Sequence, residues 1–278
     1  MVNKRRVKVL REKQVSAEVK NAPAGQIATR YFLGASGVVP LAVVTCLSML
    51  YKTKGIALSY IRYRETSIIV RVYTEAFGLQ SYIVNGVRSA KNKTNRIALF
   101  QPLTLLDMVV YHRDDRDLHR LSEVKTPYPF QHIPFEVAKS SLALFVTELL
   151  SKTLKEEVGN PHLFRFLLTS IVYLEEATEQ YENFHLAFLL QLASYLGFGP
   201  ESAKEFENQL RERSLPFLAD DAMNAALNTF MSQPIGTPVR LNRAQRADLL
   251  DALVAYYRIH FDSIGEVKSL AVLREVLG

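Results

Sequence analysis

Residues 67–87 read SIIVRVYTEAFGLQSYIVNGV, and this stretch decides the fold class of the chain. Its first eight residues are rich in β-branched side chains and alternate, with Ile68, Val70 and Val72 on one face. Such alternation is typical of a strand with one buried face. An EAFG turn follows, and residues 79–87 then resume a strand pattern that ends near an Asn-Gly pair. The stretch therefore predicts two consecutive strands joined by a turn.

Three further strands flank this pair. Upstream, Ile56, Leu58 and Tyr60 alternate with small or polar residues. Downstream, residues 103–111 and 118–125 supply two more strands, joined by the polar turn HRDDRD. Five short strands in about 75 residues predict a small closed barrel. Five is the strand count of the OB-fold, whose faces and loops commonly bind oligonucleotides.

Beyond Pro134 the apolar residues recur at helical spacing. The predicted helices are 135–155, a helix that Asn160 and Pro161 open, 182–196, 243–261 and 267–277. Residues 201–213 are strongly charged and 214–240 look irregular. The predicted fold class is therefore α+β. An N-terminal five-stranded OB-fold barrel, residues 49–130, precedes an α-helical bundle domain, residues 131–278.

The net charge of +6 is unevenly distributed. Residues 1–48 carry 8 Lys/Arg and 2 acids, residues 49–130 carry 13 and 7, and residues 131–278 carry 13 and 19. A basic barrel therefore precedes an acidic helical module. Basic modules favour polyanions, and nucleic acid in particular.

The segment between the third and fourth strands, RSAKNKTNR at residues 88–96, carries four positive charges and no acid. A basic loop on a barrel rim suits phosphate contacts. The candidate DNA-binding residues are the cations of this loop and of the neighbouring strands: Arg62, Arg64, Arg71, Arg88, Lys91, Lys93 and Arg96. Tyr63 and Tyr73 are close by, and single-strand binders combine basic grooves with aromatic platforms. The alternatives are a merely solvated loop and tyrosines that belong to the barrel core.

The first 48 residues differ from the rest of the chain. Residues 4–20 hold seven basic residues, and residues 31–50 are free of charge and mostly apolar, as in a signal peptide or membrane anchor. Gly34, Gly37 and Pro40 weaken a spanning helix, and no strand or bundle pattern is evident. We therefore expect a disordered or over-extended leader, translation from Met49 and no membrane association. Cys46 is the only cysteine, which is typical of a reducing compartment and allows no disulfide within the chain. The expected location is the cytoplasm, with nucleoid association.

No catalytic set can be assembled from the sequence. G-x-S-x-G, P-loop, G-x-G-x-x-G and H-E-x-x-H motifs are all missing, and His162, His185 and His260 lie on apolar helices. His112 and His119 flank three aspartates, a pattern found in metal sites and equally in hydrophilic hairpin turns. A binding protein without metal or cofactor is therefore preferred to an enzyme. The alternatives are an OB-fold module that binds protein or RNA and a metal-dependent nuclease.

From Met49 onward the chain resembles the bacterial RecO family of recombination mediators. The resemblance rests on short segments in the family's order and spacing: KGIAL at 54–58, YRETS at 63–67, Thr74 with Gly78, GVR at 86–88, LF at 163–164 and KSLAVLR at 268–274. It implies an OB-fold joined to a helical domain. It also implies a non-enzymatic role: binding single- and double-stranded DNA, annealing strands, and helping RecA load onto DNA coated with single-strand-binding protein (SSB). The implied partners are RecR and the C-terminal tail of SSB.

The chain departs from the family pattern in two places. Many members carry a four-cysteine zinc motif, but the corresponding residues 198–232 contain no cysteine. Many members also have a basic residue where Asn85 stands. The implied SSB tail is acidic with an apolar terminus, so its site needs an apolar groove edged by cations. The candidate cations are Arg165, Arg258 and Lys268, with ordinary surface ion pairs as the alternative.

Overall fold

The computed structural model describes residues 31–34, 37–40, 49–87, 96–113, 115–215 and 217–277. The chain divides into two compact units, Met1–Leu47 and Ser48–Gly278. In the first unit, β1 (Tyr31–Gly34) and β2 (Gly37–Pro40) pair as an antiparallel hairpin, where the sequence pattern predicted no strand. The site and the core described below belong to the second unit.

Five strands of the second unit form a closed barrel in the order β3-β4-β5-β7-β6. Their bounds are β3 Met49–Tyr63, β4 Ser67–Thr74, β5 Gly78–Val84, β6 Leu105–His112 and β7 Leu118–Lys125. All neighbours are antiparallel except β5 and β7, which are parallel, and β3 closes the barrel by pairing with both β4 and β6. A short 3-10 helix, Arg96–Phe100, precedes β6. The predicted five-stranded barrel is confirmed.

Alternate side chains of β4 point into the barrel and out of it. Ile68, Val70 and Val72 point into the barrel core, where they join Tyr82 of β5 and apolar residues of β6. The intervening residues point outward. Because the side-chain period of a strand is two, directly paired residues on neighbouring strands share the same face.

One side of the barrel exterior packs on the helices. The outward-facing barrel residues in this shared core are Ile56, Leu58, Tyr73, Leu79, Leu103 and Leu105. Tyr73 stacks on Phe164 with the ring centroids 6.3 Å apart. Since this side is covered, ligand contacts on the barrel wall must use the part of each strand that extends beyond the helices.

Seven helices follow in the described part of the chain: α1 Val137–Thr153, α2 Pro161–Glu176, α3 Phe184–Tyr195, α4 Ala203–Glu212, α5 Asp221–Ser232, α6 Arg243–His260 and α7 Ser269–Leu277. Asn160 caps α2 as predicted, accepting a hydrogen bond from the Leu163 N–H, and Pro161 begins the helix. Helix α3 is buried along nearly its whole length, as its apolar sequence predicted. The predicted order of an OB-fold barrel and a helical domain is confirmed.

The prediction that residues 214–240 are irregular is wrong for α5. The Asp220 carboxylate accepts a hydrogen bond from the Met223 N–H at 2.7 Å and caps this helix. The buried residues Met223, Ala226, Leu227 and Phe230 follow at helical spacing. Asn, Thr and Ser lower the helix propensity of this segment, so packing rather than local preference stabilises it.

No helix in the described ranges combines the length and the apolar character needed to cross a membrane.

Candidate nucleic-acid interface

One part of the barrel wall that the helices leave uncovered runs across β3, β4, β5 and β7. The strand register places two rows of outward-facing residues there: Ser59, Arg71, Ser81 and Leu118 in one row, and Ile61, Ile69, Ile83 and Arg120 in the next. We call these eight residues the open face. In OB-folds the pair of strands that corresponds to β4 and β5 is the surface that binds oligonucleotides.

Arg71 lies near the centre of the open face. It is half-buried and stands between two serines, its direct neighbours Ser59 and Ser81. No carboxylate pairs with it among the described residues, so its charge is available to an anionic ligand. Arg71 was a candidate from the sequence, and the structure places it on an accessible wall of the barrel.

Arg120 is a second cation of the open face, and sequence analysis missed it. It is exposed and pairs in register with Ile83 on β5 and with Tyr111 on β6. Its neighbours His119 and Leu121 are buried, so the alternation of β7 already placed Arg120 outside. The alternation could therefore have predicted that Arg120 points outward, but only the tertiary structure shows that β7 lies beside β5.

Further cations lie at one end of the barrel. Arg62 is exposed near the end of β3, and Arg64 is exposed in the turn that follows. The Arg64 backbone has a φ of 51°, and its guanidinium carbon lies 5.2 Å from the centre of the Tyr63 ring. Arg62 is paired with Ile68, and therefore lies on the opposite face of the sheet from Arg71. The two arginines contribute to the barrel end rather than to the open face.

Asn85 holds two turns together at this end. Its side-chain oxygen accepts a hydrogen bond from the Ser67 hydroxyl at 3.1 Å, which joins the start of β4 to the turn after β5. The basic loop begins just beyond this turn. Its residues Arg88, Lys91 and Lys93 lie outside the described residues, and Arg96 is half-buried at the start of the 3-10 helix.

Tyr73 is not a platform for bases. Its side chain is 2% exposed against the helical module, and burial raises the pKa of its hydroxyl to about 12. The alternative reading, a tyrosine of the core, is the one that the structure supports.

The His112–His119 turn is an aromatic stack closed by an ion pair. The rings of His112 and His119 are stacked 4.3 Å apart, and Phe77 stacks on His112 at 3.9 Å. His119 is buried, its Nδ1 accepts from the Arg113 N–H at 3.4 Å, and the Arg113 guanidinium binds Asp115 at 2.7 and 2.9 Å. Within the described ranges no three His, Cys, Asp or Glu side chains are grouped as metal ligands.

Among the three candidate partner-binding cations, Arg165 lines a groove that the other two do not line. Arg165 is exposed on α2 and lines a groove of about 380 Å³ with residues of α2, α3 and the loop after α5: His162, Phe166, Thr169, Ser170, Tyr173, Gln191, Tyr195, Pro234 and Ile235. Arg258 donates to the Gly265 carbonyl at 3.1 Å, and the Lys268 N–H donates to Glu148 at 3.0 Å. Neither of these two lines the Arg165 groove.

Comparisons with known proteins give one consistent family. Residues 49–130 match the model of the Recombination protein O N-terminal domain, and residues 134–270 match that of the C-terminal domain. A DNA repair protein RecO from Flavobacterium psychrophilum is 35% identical over 237 residues, which cover 82% of this chain and 99% of that protein. Proteins of the same name are 34% identical in Bacteroides fragilis, over 82% of this chain and 99% of theirs, and 33% identical in Christiangramia forsetii, over 83% and 100%. The chain therefore belongs to the RecO family of DNA repair proteins.

Proposed function

We propose that this protein is a non-enzymatic recombination mediator that binds single- and double-stranded DNA on the open face. In this role it anneals complementary strands and helps RecA load onto SSB-coated DNA, in the cytoplasm and near the nucleoid. The observation that carries the proposal is the position of Arg71 and Arg120 on the uncovered β4–β5–β7 wall of an OB-fold barrel.

The chemistry of the open face suits a phosphate backbone. Two guanidinium groups supply charge and forked donors, while the serines beside Arg71 add neutral hydrogen-bonding groups. Arg62 and Arg64 add two exposed cations at one end of the barrel, and the sequence of residues 88–96 carries four more. Contacts of this kind favour any sequence, which an annealing protein requires.

The Arg165 groove is the proposed site for the acidic SSB tail. The rings of Phe166 and Tyr195 stack at 4.6 Å and give the groove an aromatic wall, beside which Arg165 can pair with a carboxylate. Arg258 is less suitable, since its guanidinium already binds the Gly265 carbonyl in the loop before α7, and Lys268 does not line this groove. RecR is proposed as a partner on the family resemblance alone.

The decisive experiment measures binding to single-stranded oligonucleotides across a salt series. Arg71→Ala with Arg120→Ala should weaken binding to all sequences alike. It should also flatten the slope of log affinity against log salt by about 0.7 for each lost phosphate contact. Arg240→Ala, an exposed cation of the helical module, is the matched control. An unchanged slope in the double variant would exclude the open face as the DNA-binding surface. Tighter binding of RNA than of DNA by the parent protein would favour the RNA-binding alternative.

The partner site is tested separately with an SSB tail peptide. Arg165→Glu should reduce peptide affinity by about tenfold or more, because it replaces an attraction with a repulsion. Arg258→Glu and Lys268→Glu should have smaller effects. Equal losses in all three variants would indicate long-range charge rather than a groove.

A further inference from the structure

A second groove lies in the helical module, where the loop after α4 meets α6. Its volume is about 380 Å³, and its described lining consists of Leu210, Leu215, Phe217, Leu218, Asp248, Asp251, Ala252 and Ala255. We call it the α4–α6 groove. It shares no lining residue with the Arg165 groove.

The apolar wall of this groove is preformed. Helix α4 ends at Glu212, and Ser214, just beyond its C-cap Arg213, has a φ of 56°. The Ser214 N–H donates to the Arg211 carbonyl at 2.9 Å. The Leu215 N–H donates to the Leu210 carbonyl at 3.0 Å. This pair of bonds is a Schellman motif, which brings the residue after the cap onto an apolar residue of the last helical turn. Leu215 is therefore held against Leu210 without help from a ligand.

Phe217 is also anchored. Its ring meets the ring of Phe206 edge to face, with centroids 5.5 Å apart, and Phe206 is fully buried. The next residue, Leu218, is in contrast 86% exposed. A large apolar side chain that projects into water beside a fixed apolar wall forgoes the free energy that its burial would contribute. Leu218 thus favours a partner that covers it.

The floor of the groove is one stripe of α6. Asp248, Asp251, Ala252 and Ala255 are spaced by three, one and three residues, so they lie on the same helix face. The two alanines are short, which allows another chain to approach the helix axis closely. The two carboxylates stand one turn apart at the edge of the floor.

The charge of the α4–α6 groove is negative. No cation lines it among the described residues, and Asp248 has no ion-pair partner in the described part of the chain. Asp251 is paired with Arg274. Asp220 adds a further carboxylate close to the loop, bound to Gln245 at 2.9 Å. A cationic occupant is favoured, whereas an acidic peptide would be repelled.

We propose that the α4–α6 groove docks a short amphipathic helical segment of a partner protein, with large apolar residues on one face and Lys or Arg beside them. The apolar residues would cover Leu218 and rest on Ala252 and Ala255, and a cation would reach Asp248. This site is independent of the DNA-binding face and of the acidic-tail site, because it has the opposite charge requirement.

The test uses the full chain and a fluorescent 14-residue amphipathic peptide of Leu and Lys, with leucines at helical spacing, measured by anisotropy. Leu218→Ser should weaken binding about tenfold and Asp248→Asn about threefold, in line with the loss of an apolar anchor and of one charge contact. Val158→Ser and Asp262→Asn are matched controls at exposed positions outside the groove and should bind normally. A Leu and Glu peptide of the same spacing should not bind.

Circular dichroism of each variant shows whether the fold is retained, which is expected because the substituted side chains are exposed. Equal peptide binding by Leu218→Ser and the parent chain would overturn the proposal. So would an equal loss in the matched controls, which would show attraction by overall charge only. If Leu218→Ser instead abolishes self-association in sedimentation and leaves peptide binding intact, the occupant is a second copy of this chain and the proposal is wrong. DNA binding is measured in parallel and should remain unchanged in all these variants.

Discussion

At the residue scale, His185 shows how a buried side chain sets a pH limit on the fold. It lies in the first turn of α3, 2% exposed, with its ring edge-on to Phe145 at 6.3 Å. Burial, with a smaller contribution from the charge of Arg246, lowers the pKa of His185 to about 3. The folded protein therefore holds this imidazole neutral throughout the mildly acidic range.

The sign of the resulting pH dependence follows from linkage. Below the unfolded pKa of about 6.5, His185 is protonated in the unfolded chain and stays neutral in the folded chain. The free energy of unfolding therefore falls by about 1.4 kcal/mol per pH unit until the pH reaches the folded pKa of His185. His185→Gln should remove this component, and its loss of stability between pH 6.5 and 5 should be about 2 kcal/mol smaller than that of the parent. Urea denaturation at these two pH values measures the difference. His162→Gln, at an exposed position, should retain the parental pH dependence.

At the scale of elements, one carboxylate fixes the segment between the barrel and α1. Glu175 at the end of α2 accepts hydrogen bonds from the backbone N–H groups of Gln131, His132 and Ile133. Lys139, 1% exposed on α1, donates to the Glu175 carbonyl at 2.8 Å. Burial alone would raise the pKa of Glu175, but the three backbone bonds outweigh it and the pKa is lowered. Stability from this group is therefore present above the unfolded pKa and is lost as the pH falls through the lower folded value.

Glu175→Gln should lower the free energy of unfolding by about 1–3 kcal/mol, because a neutral amide cannot serve three donors as a carboxylate does. The adjacent Glu176 is exposed and, among the described residues, accepts one hydrogen bond, from the Tyr128 hydroxyl at 2.6 Å. Glu176→Gln should accordingly cost less than about 1 kcal/mol. Thermal and urea unfolding of the two variants distinguish these expectations, and equal losses would contradict the anchoring role of Glu175.

At the scale of the unit Ser48–Gly278, the barrel and the helices share one apolar core and a close backbone contact. The Leu79 N–H donates to the Glu156 carbonyl at 2.9 Å, so the turn before β5 is seated on the loop between α1 and α2. Gly78 has a φ of +63°, and a Cβ there would lie 2.4 Å from the same carbonyl oxygen. Both the conformation and the contact require glycine.

Gly78→Ala should therefore destabilise the protein more than Gly86→Ala. Gly86 has a similar φ of +68°, but a Cβ at this position meets nothing within 4 Å. We expect Gly86→Ala to cost about 1 kcal/mol from backbone conformation, and Gly78→Ala a further 1–3 kcal/mol from the clash with the helical module. Urea midpoints measure both. Equal effects would mean that the barrel and the helices do not constrain each other at this point.

The sequence by itself determined the strand pattern and most of the helix positions. Strands β4 and β7 begin and end where alternation predicted, and Asn160 with Pro161 marked the start of α2, because these signals are local and depend on side chains a few residues apart. The resemblance to the RecO family was likewise recognised from the order and spacing of short segments. Helix α5 was not predicted, because its stability depends on packing against residues that are far away in the sequence.

Only the tertiary structure decided which residues form the surfaces. Arg71 and Tyr73 share a face of β4, yet one is open to ligand while the other packs on Phe164, because the helices cover only part of the barrel wall. Arg120 joins Arg71 because β7 runs beside β5, and paired residues such as Ile83 and Arg120 are 37 residues apart in the chain. Arg165 and Arg258 occupy similar apolar contexts in sequence, but in the fold Arg165 lines a groove while Arg258 binds the Gly265 carbonyl. Burial and proximity depend on chain segments far apart, so local pattern alone could not place these side chains.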